Sequence, residues 1–380
     1  MKKSLIFFLT AFLAVSWACG SNYDYGPTPT SDLKAPARSF YLGFTPAPYE
    51  ISEKAIHFIY ENIANNADII AHHFDNGVPW PEALNGEEYP TSVKNDWESR
   101  KNRTPGGHQV YLAITPIRLL RNGLADYSSA QGEQPLPPPW DTYAFNHTDV
   151  KSAYLNHAIK AVEFFEPDYL AIGIESNLLI DHIPEQWEEY LELHIYVYTQ
   201  LKTRYPDLPI FATVAGNALL DEYQTEHDTA AHLAALQQIL QYSDYYGISF
   251  YPHLFKGAEF PPEMFETLFA LSDKPIAITE TAYPAESLSI LGGYIAWESD
   301  PDRQKEYFAT LLEEADAREM VFIITFFLRD YDILWAQIED PDMSNLASIW
   351  RDTGFFDEDG NPRAVLDLWQ KILSRPYQDQ

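Results

Sequence analysis

From Ser39 to the end of the chain, short apolar runs alternate with longer amphipathic stretches. Runs rich in β-branched and aromatic residues read as buried strands, and the stretches between them as helices. Strands are expected at Phe40–Phe44, Asp68–His72, Gln109–Thr115, Tyr169–Ile174, Leu208–Thr213, Tyr245–Phe250, Pro275–Thr279 and Met320–Phe326. Helices are expected at about Glu53–Ala64, Asp149–Phe165, Pro184–Tyr205, Asp228–Tyr242, Pro262–Leu271, Asp302–Arg318 and Arg363–Ser374, with a weak one near Ser92–Arg100. Pro184 suits a first helical turn, where its missing N–H has no partner to lose. Eight strand–helix units in this order predict an α/β fold, a single-domain (β/α)8 TIM barrel.

Alternation within the strands assigns their faces. In the fourth, Tyr169, Ala171, Gly173 and Glu175 share one side, opposite Leu170, Ile172 and Ile174. In the sixth, Tyr245, Gly247, Ser249 and Tyr251 share a face, and in the seventh Ile276, Ile278 and Glu280 do. Small residues suit the crowded barrel interior and aliphatics the helix side. Glu175, Tyr251 and Glu280 are thus expected inside, at the C-terminal strand ends where this fold keeps its active sites. A glutamate closing each of two apolar runs suggests a two-carboxylate site, the arrangement glycoside hydrolysis uses. The competing reading of each is a carboxylate that caps the next turn.

Composition narrows the substrate. The chain of 380 residues carries a formal charge of -31, which repels nucleic acid and anionic lipid headgroups and leaves neutral polymers open. Its 9 Trp, 25 Tyr and 22 Phe exceed what packing usually needs, and surplus rings often line sugar clefts. The N-terminus has a basic start, Lys2-Lys3, and an apolar stretch too short for an ordinary membrane span. Residues 1–19 read as a bacterial lipoprotein signal with its lipobox at Cys19, although Ser16 stands where Leu is preferred. Cys19 is the only cysteine, so the mature chain has no disulfide framework and no cysteine-based metal site. Residues 20–38 read as a flexible tether and 39–376 as the catalytic domain. A lipid-anchored monomer of the cell envelope, at the outer membrane or cell surface, is the expected form.

The segments Ile172-Gly173-Ile174-Glu175 and Ile278-Thr279-Glu280-Thr281-Ala282-Tyr283-Pro284 resemble the fourth- and seventh-strand motifs of clan A glycoside hydrolases. Asp244-Tyr245-Tyr246-Gly247-Ile248-Ser249-Phe250-Tyr251-Pro252 resembles their sixth-strand motif, and Thr353–Arg363 followed by a Trp369 helix is also typical. The sequence is most similar to the endo-β-1,4-galactanase family. The resemblance implies retaining hydrolysis of an oligo- or polysaccharide, with Glu175 as acid/base, Glu280 as nucleophile and Tyr251 orienting the nucleophile. The expected substrate-binding set is His72, Asn177, Ser249, His253, Tyr283 and Trp335, and no cofactor is expected to be required. Two positions depart from the pattern. Ile174 replaces the Asn that contacts the sugar 2-hydroxyl, for which Asn177, Asn217 and His72 are the available substitutes. The eighth strand ends in Phe326-Phe327 rather than in a Trp platform. The alternative function is a barrel that binds glycan without cleaving it.

Other residues carry open readings. His72 could contact sugar or be a buried structural histidine, and Arg118 and Arg121 could neutralise the carboxylates or be surface charges. Asp330, Asp332, Glu339, Asp340 and Asp342 crowd one loop. Some galactanase relatives hold a structural calcium there, but the spacing fits no fixed calcium motif, so solvated charge is favoured and no metal is assigned. Trp80, Trp140, Trp297 and Trp335 lie in predicted loops as candidate stacking platforms.

Overall fold

The computed structural model describes residues 37–220, 228–255, 260–293 and 295–378. The leader, Cys19 and nearly all of the tether lie outside the described residues. Along the chain run β1 (Tyr41–Phe44), β2 (Ile69–Phe74), β3 (Gln109–Ile114), β4 (Tyr127–Ser129), β5 (Gly132–Gln134), β6 (Tyr169–Ala171), β7 (Ile210–Phe211), β8 (Thr213–Ala215), β9 (Tyr246–Phe250), β10 (Ile276–Thr281), β11 (Leu288–Ile290), β12 (Ile295–Trp297) and β13 (Phe322–Thr325). β4–β5 and β11–β12 are antiparallel hairpins. The other nine follow the order β7-β6-β3-β2-β1-β13-β10-β9-β8, the order of a (β/α)8 barrel. The ninth arises because the expected fifth strand is divided at Ala212 into β7 and β8.

The chain groups into two compact units. The first comprises Ile69–Ala215 and Ala230–Ile248. Its parallel ladder runs β2-β3-β6-β7, with Ile69 opposite Gln109, Tyr111 opposite Tyr169 and Leu170 opposite Ile210. Leu112, Leu170, Ile172 and Ile210 bury against Ala158, Ala161, Leu193 and Val197 of the helices Thr148–Phe165 and Trp187–Arg204. For Leu170 and Ile172 that is the aliphatic, helix-facing side that the alternation predicted.

The second unit holds β1, β13 and β10 in one parallel ladder. Phe44, Phe308, Phe355 and Trp369 pack in tilted and edge-to-face pairs with centroids 4.8–5.3 Å apart. The indole N–H of Trp369 donates to the Asn66 carbonyl at 2.8 Å. This fixes the last helix, Ala364–Leu373, on the core.

One device recurs at strand starts. The carboxylates of Asp68, Asp168 and Asp244 each accept the backbone N–H of a neighbouring strand, at Leu42, Val110 and Ile210, within 2.7–2.8 Å. Each covers an edge donor that burial would otherwise penalise. The helix near residue 92 is fully formed at Thr91–Arg103, anchored by buried Trp97 and Arg100, and an unexpected short helix at Trp80–Asn85 precedes it. Among the described residues no helix is long and apolar enough to cross a membrane.

Candidate active site

In the first unit the site is built where β2, β3 and β6 end. β6 stops at Ala171, and strand alternation does not carry through to Glu175. A Cβ at Gly173 would fall 2.4 Å from the Tyr190 hydroxyl and 2.7 Å from the Ser176 hydroxyl, so the position faces the helix side rather than the interior. Glu175 then takes a left-handed conformation, φ 48°, and opens a short 3-10 turn over Ser176–Leu178. Its N–H donates to Thr213 Oγ1 at 2.9 Å. Glu175 therefore reaches its place through a turn pinned from β8. Gly173→Ala is expected to cost about 1–3 kcal/mol in urea unfolding, because the methyl must displace the Ser176–Tyr190 hydrogen bond of 2.5 Å.

The Glu175 side chain is 2% exposed and accepts from Arg121 Nη2 at 3.0 Å. The same guanidinium grips Asp75 with both arms, at 2.9 and 2.8 Å. Burial works against the charge of Arg121, but Asp75 and Glu175 outweigh it and raise its pKa. Burial alone would push the Asp75 carboxyl up, yet Arg121 and His73 together hold it below the usual range. Arg121 too has a left-handed backbone, φ 54°. Left-handed non-glycine residues cost roughly 1–2 kcal/mol each, and such strain persists where the surroundings over-determine it. Of the two readings left open for Arg121, the structure selects neutralisation of carboxylates. Arg118 instead pairs with Asp126 of its own loop at 2.7 Å.

In the second unit, Glu280 lies where the β10–β13 ladder shifts register between Ile278 and Thr281. Ile278 pairs with Ile323 and Thr281 with Thr325, so Thr279 and Glu280 both stand against Ile324. A bulge of this kind re-aims a side chain. Glu280 is 6% exposed, and Tyr251 Oη donates to its Oε2 at 2.9 Å. Asn217 fixes Tyr251 by bonding its backbone N–H and C=O, both at 2.9 Å. The Trp350 ring meets the Tyr251 ring edge-on at 5.8 Å.

Several expected sugar contacts are committed elsewhere. His72 is fully buried in the helix layer, bonded to Thr104 at 2.8 Å and packed on Phe165, and burial beside Arg100 lowers its pKa to about 3. Its neighbour His73 is the one that turns to Asp75, at 3.8 Å. Asn177 spends its amide on the Ala215 backbone and on His232, which continues to Asp181 at 2.9 Å. Asn217, the other amide available to replace the missing Asn, is used on Tyr251. Tyr283 is buried and stacked on Tyr307 at 5.1 Å. His253 is buried against Trp297, and desolvation lowers its pKa to about 3 against the opposing pull of the Ala282 and Ile349 backbone. Trp335 is half-buried, with its N–H on the Ser344 carbonyl and Arg351 over its ring. Ser249 Oγ is buried with no hydrogen-bond partner among the described residues. Trp80 and Trp140 are not platforms, since they stack on each other at 5.5 Å inside the core. Trp297 is buried with its N–H on the Glu286 carbonyl. Ile174 is buried outright.

Of the acidic loop, Asp330 and Asp332 come together with Asp352, and Asp330 also meets Glu286 and Glu358. These oxygens could hold a hard cation. Arg363 already pairs with Asp330 at 2.6 Å, though, and Arg351 with Asp352 at 2.6 Å. Burial pushes the Asp330 carboxyl up to about 7 despite Arg363. Glu339 and Asp340 are exposed and belong to neither group, and the side chain of Asp342 lies outside the described residues.

No family model matches the sequence, and no curated protein does. Solved structures do. A GH5_18 protein from Streptomyces cattleya, in complex with GlcNAc, is 14% identical with TM-score 0.59, over 90% of this chain and 83% of that one. An endo-laminarinase from Formosa Hel1_33_131 is 15% identical with TM-score 0.54, over 90% and 92%. One of two fungal β-1,4-galactanases is 15% identical with TM-score 0.52, over 84% and 91%. The chain shares the (β/α)8-barrel fold of these proteins. At these identities the likeness is one of fold, and it fits the clan A resemblance. The galactanase is one of several glycoside hydrolases at similar distance.

From sequence Arg121 carries two open readings, and neither Asp75 nor Trp350 stands out as a site residue. Asp75 directly follows the β2 run and Arg121 sits in an Arg-Asn-Gly turn, the available signals. Neither lies on a periodic element whose face could be assigned.

Proposed function

We propose that this chain is a retaining β-glycoside hydrolase acting on a neutral, galactan-like polysaccharide. The observation that carries the reading is the hydrogen bond from Tyr251 to Glu280 at a bulged strand end, within a glycoside-hydrolase fold. Glu280 Oε attacks the anomeric carbon, and the bond to the leaving oxygen breaks as Glu175 gives that oxygen a proton. Glu175 then takes a proton from water, whose oxygen displaces Glu280 from the glycosyl ester. Ser249, with its unbonded hydroxyl, and half-buried Trp335 remain the candidates for sugar contact. The protein acts as a monomer held to the bacterial envelope by a lipid on Cys19, without a metal or other cofactor.

The test is covalent trapping. A panel of 2-deoxy-2-fluoro-β-glycosyl fluorides slows both steps but leaves the first the faster, so the ester accumulates. Intact-mass and peptide analysis is expected to show one sugar, on the peptide containing Glu280. Labelling elsewhere, or cleavage of a glycan with inversion, overturns the mechanism. Buried Ile174 supports the second reading, binding without cleavage. Glycan affinity with no turnover, unchanged in Glu175→Gln, would select it.

A further inference from the structure

One guanidinium serves two carboxylates in the first unit, and it serves them unequally. Arg121 gives Asp75 two parallel hydrogen bonds and Glu175 one, through the nitrogen that already serves Asp75 Oδ2. The three side chains are 3%, 9% and 2% exposed. An arginine aimed only at Glu175 would hold it ionised, which defeats a proton donor. We propose that Asp75 is a positioning residue that keeps Glu175 protonated at rest by taking up the charge of Arg121.

The argument is one of charge balance in a place nearly closed to water. With Asp75 and Arg121 ionised and Glu175 neutral, the buried trio carries no net charge. Ionising Glu175 leaves an uncompensated negative charge there, at a high desolvation cost. Asp75 has the stronger claim on the cation because a bidentate fork is the better-fitting contact. His73 lies 3.8 Å from Asp75 Oδ2, and with its imidazole neutral it adds no second cation to the trio. The neighbouring titratable groups in this unit leave the balance standing. His182 has its pKa lowered by burial and by Arg121, against the pull of Asp181, so it adds no cation near neutral pH. Glu133, near Asp75, is pushed up to about 7 by burial and by Asp126 and Asp75. Arg118 pairs with Asp126 at 2.7 Å, and burial still raises the Asp126 carboxyl. The buried phenols of Tyr154 and Tyr190 stay protonated.

The inference rests on Glu175 being the acid/base, and it is tested without a substrate. The full chain is labelled with 13C at glutamate carboxyls, and the Glu175 resonance is assigned by its loss in Glu175→Gln. In the wild type, Glu175 is expected to titrate above pH 6. In Asp75→Asn its midpoint is expected at least one unit lower, because Arg121 turns wholly to Glu175, and Asp75→Ser is expected to act the same way. A wild-type midpoint below pH 4 overturns the proposal even if neither variant folds. A midpoint unmoved in a folded variant also overturns it, and a purely structural Asp75 would give that result. Full hydrolysis by Glu175→Gln would instead sink the acid/base assignment and leave the titration standing.

Discussion

Glu280→Gln is expected to lower kcat/KM on the polysaccharide cleaved by the wild type by about 10⁴-fold or more. The amide keeps the volume of the carboxylate and can still accept from Tyr251 Oη, so fold and ground-state binding should persist. It cannot supply the oxyanion that forms the glycosyl ester. The loss should therefore fall on kcat, with KM little changed, and the far-UV spectrum and urea midpoint should stay close to wild type. Azide sharpens the result. In Glu280→Ala the small anion can enter the vacated side and attack the anomeric carbon, giving an inverted glycosyl azide from an aryl glycoside. In Glu175→Ala azide attacks only after the ester has formed, so the product keeps its configuration. Full activity in Glu280→Gln ends the proposal, and azide products of the opposite configurations would exchange the two roles. Tyr251→Phe provides the scale. It removes one hydrogen bond to the carboxylate, and a loss of about ten- to a hundredfold is expected, equivalent to about 1.4–2.7 kcal/mol.

The strands and their order were legible because buried β-strands and amphipathic helices write different periods into the chain. The helix-facing aliphatics Leu170 and Ile172 of the fourth strand followed from alternation alone. Alternation failed where the backbone leaves the regular strand. Gly173 faces the helix layer, and Glu175 reaches its position through a left-handed turn. The bulge at Thr279–Glu280 likewise depends on a ladder register that neither strand encodes by itself. His72 shows a second limit. Adjacent histidines must point to opposite faces, but which one enters the helix layer depends on Thr104 and Phe165, residues distant in sequence. Asn177 and Asn217 show a third. An amide near a strand end looks available for a ligand until the backbone groups it must satisfy are located.

Arg121→Met is expected to destabilise the fold by about 3–5 kcal/mol at pH 7, measured by urea unfolding. Methionine fills much of the same space, so the loss is one of charge rather than volume. Removing the cation leaves Asp75 buried with its charge uncompensated, beside Glu175. The pH dependence follows from the direction of the Asp75 shift. In the wild type its carboxyl is held below its ordinary value, so its contribution is present above the unfolded pKa near 4. It is lost as pH falls through the lower folded value. In Arg121→Met burial acts without the guanidinium and the folded pKa rises above the unfolded one. That variant therefore gains stability as pH falls from 7 toward 4 and the carboxyl takes a proton. The gap between the two proteins should narrow over that range. A gap constant with pH would assign the loss to packing. The double variant Arg121→Met/Asp75→Asn separates the two causes at one pH. If charge is responsible, it should be more stable at pH 7 than Arg121→Met alone, because the second substitution removes the ion that the first left without a partner.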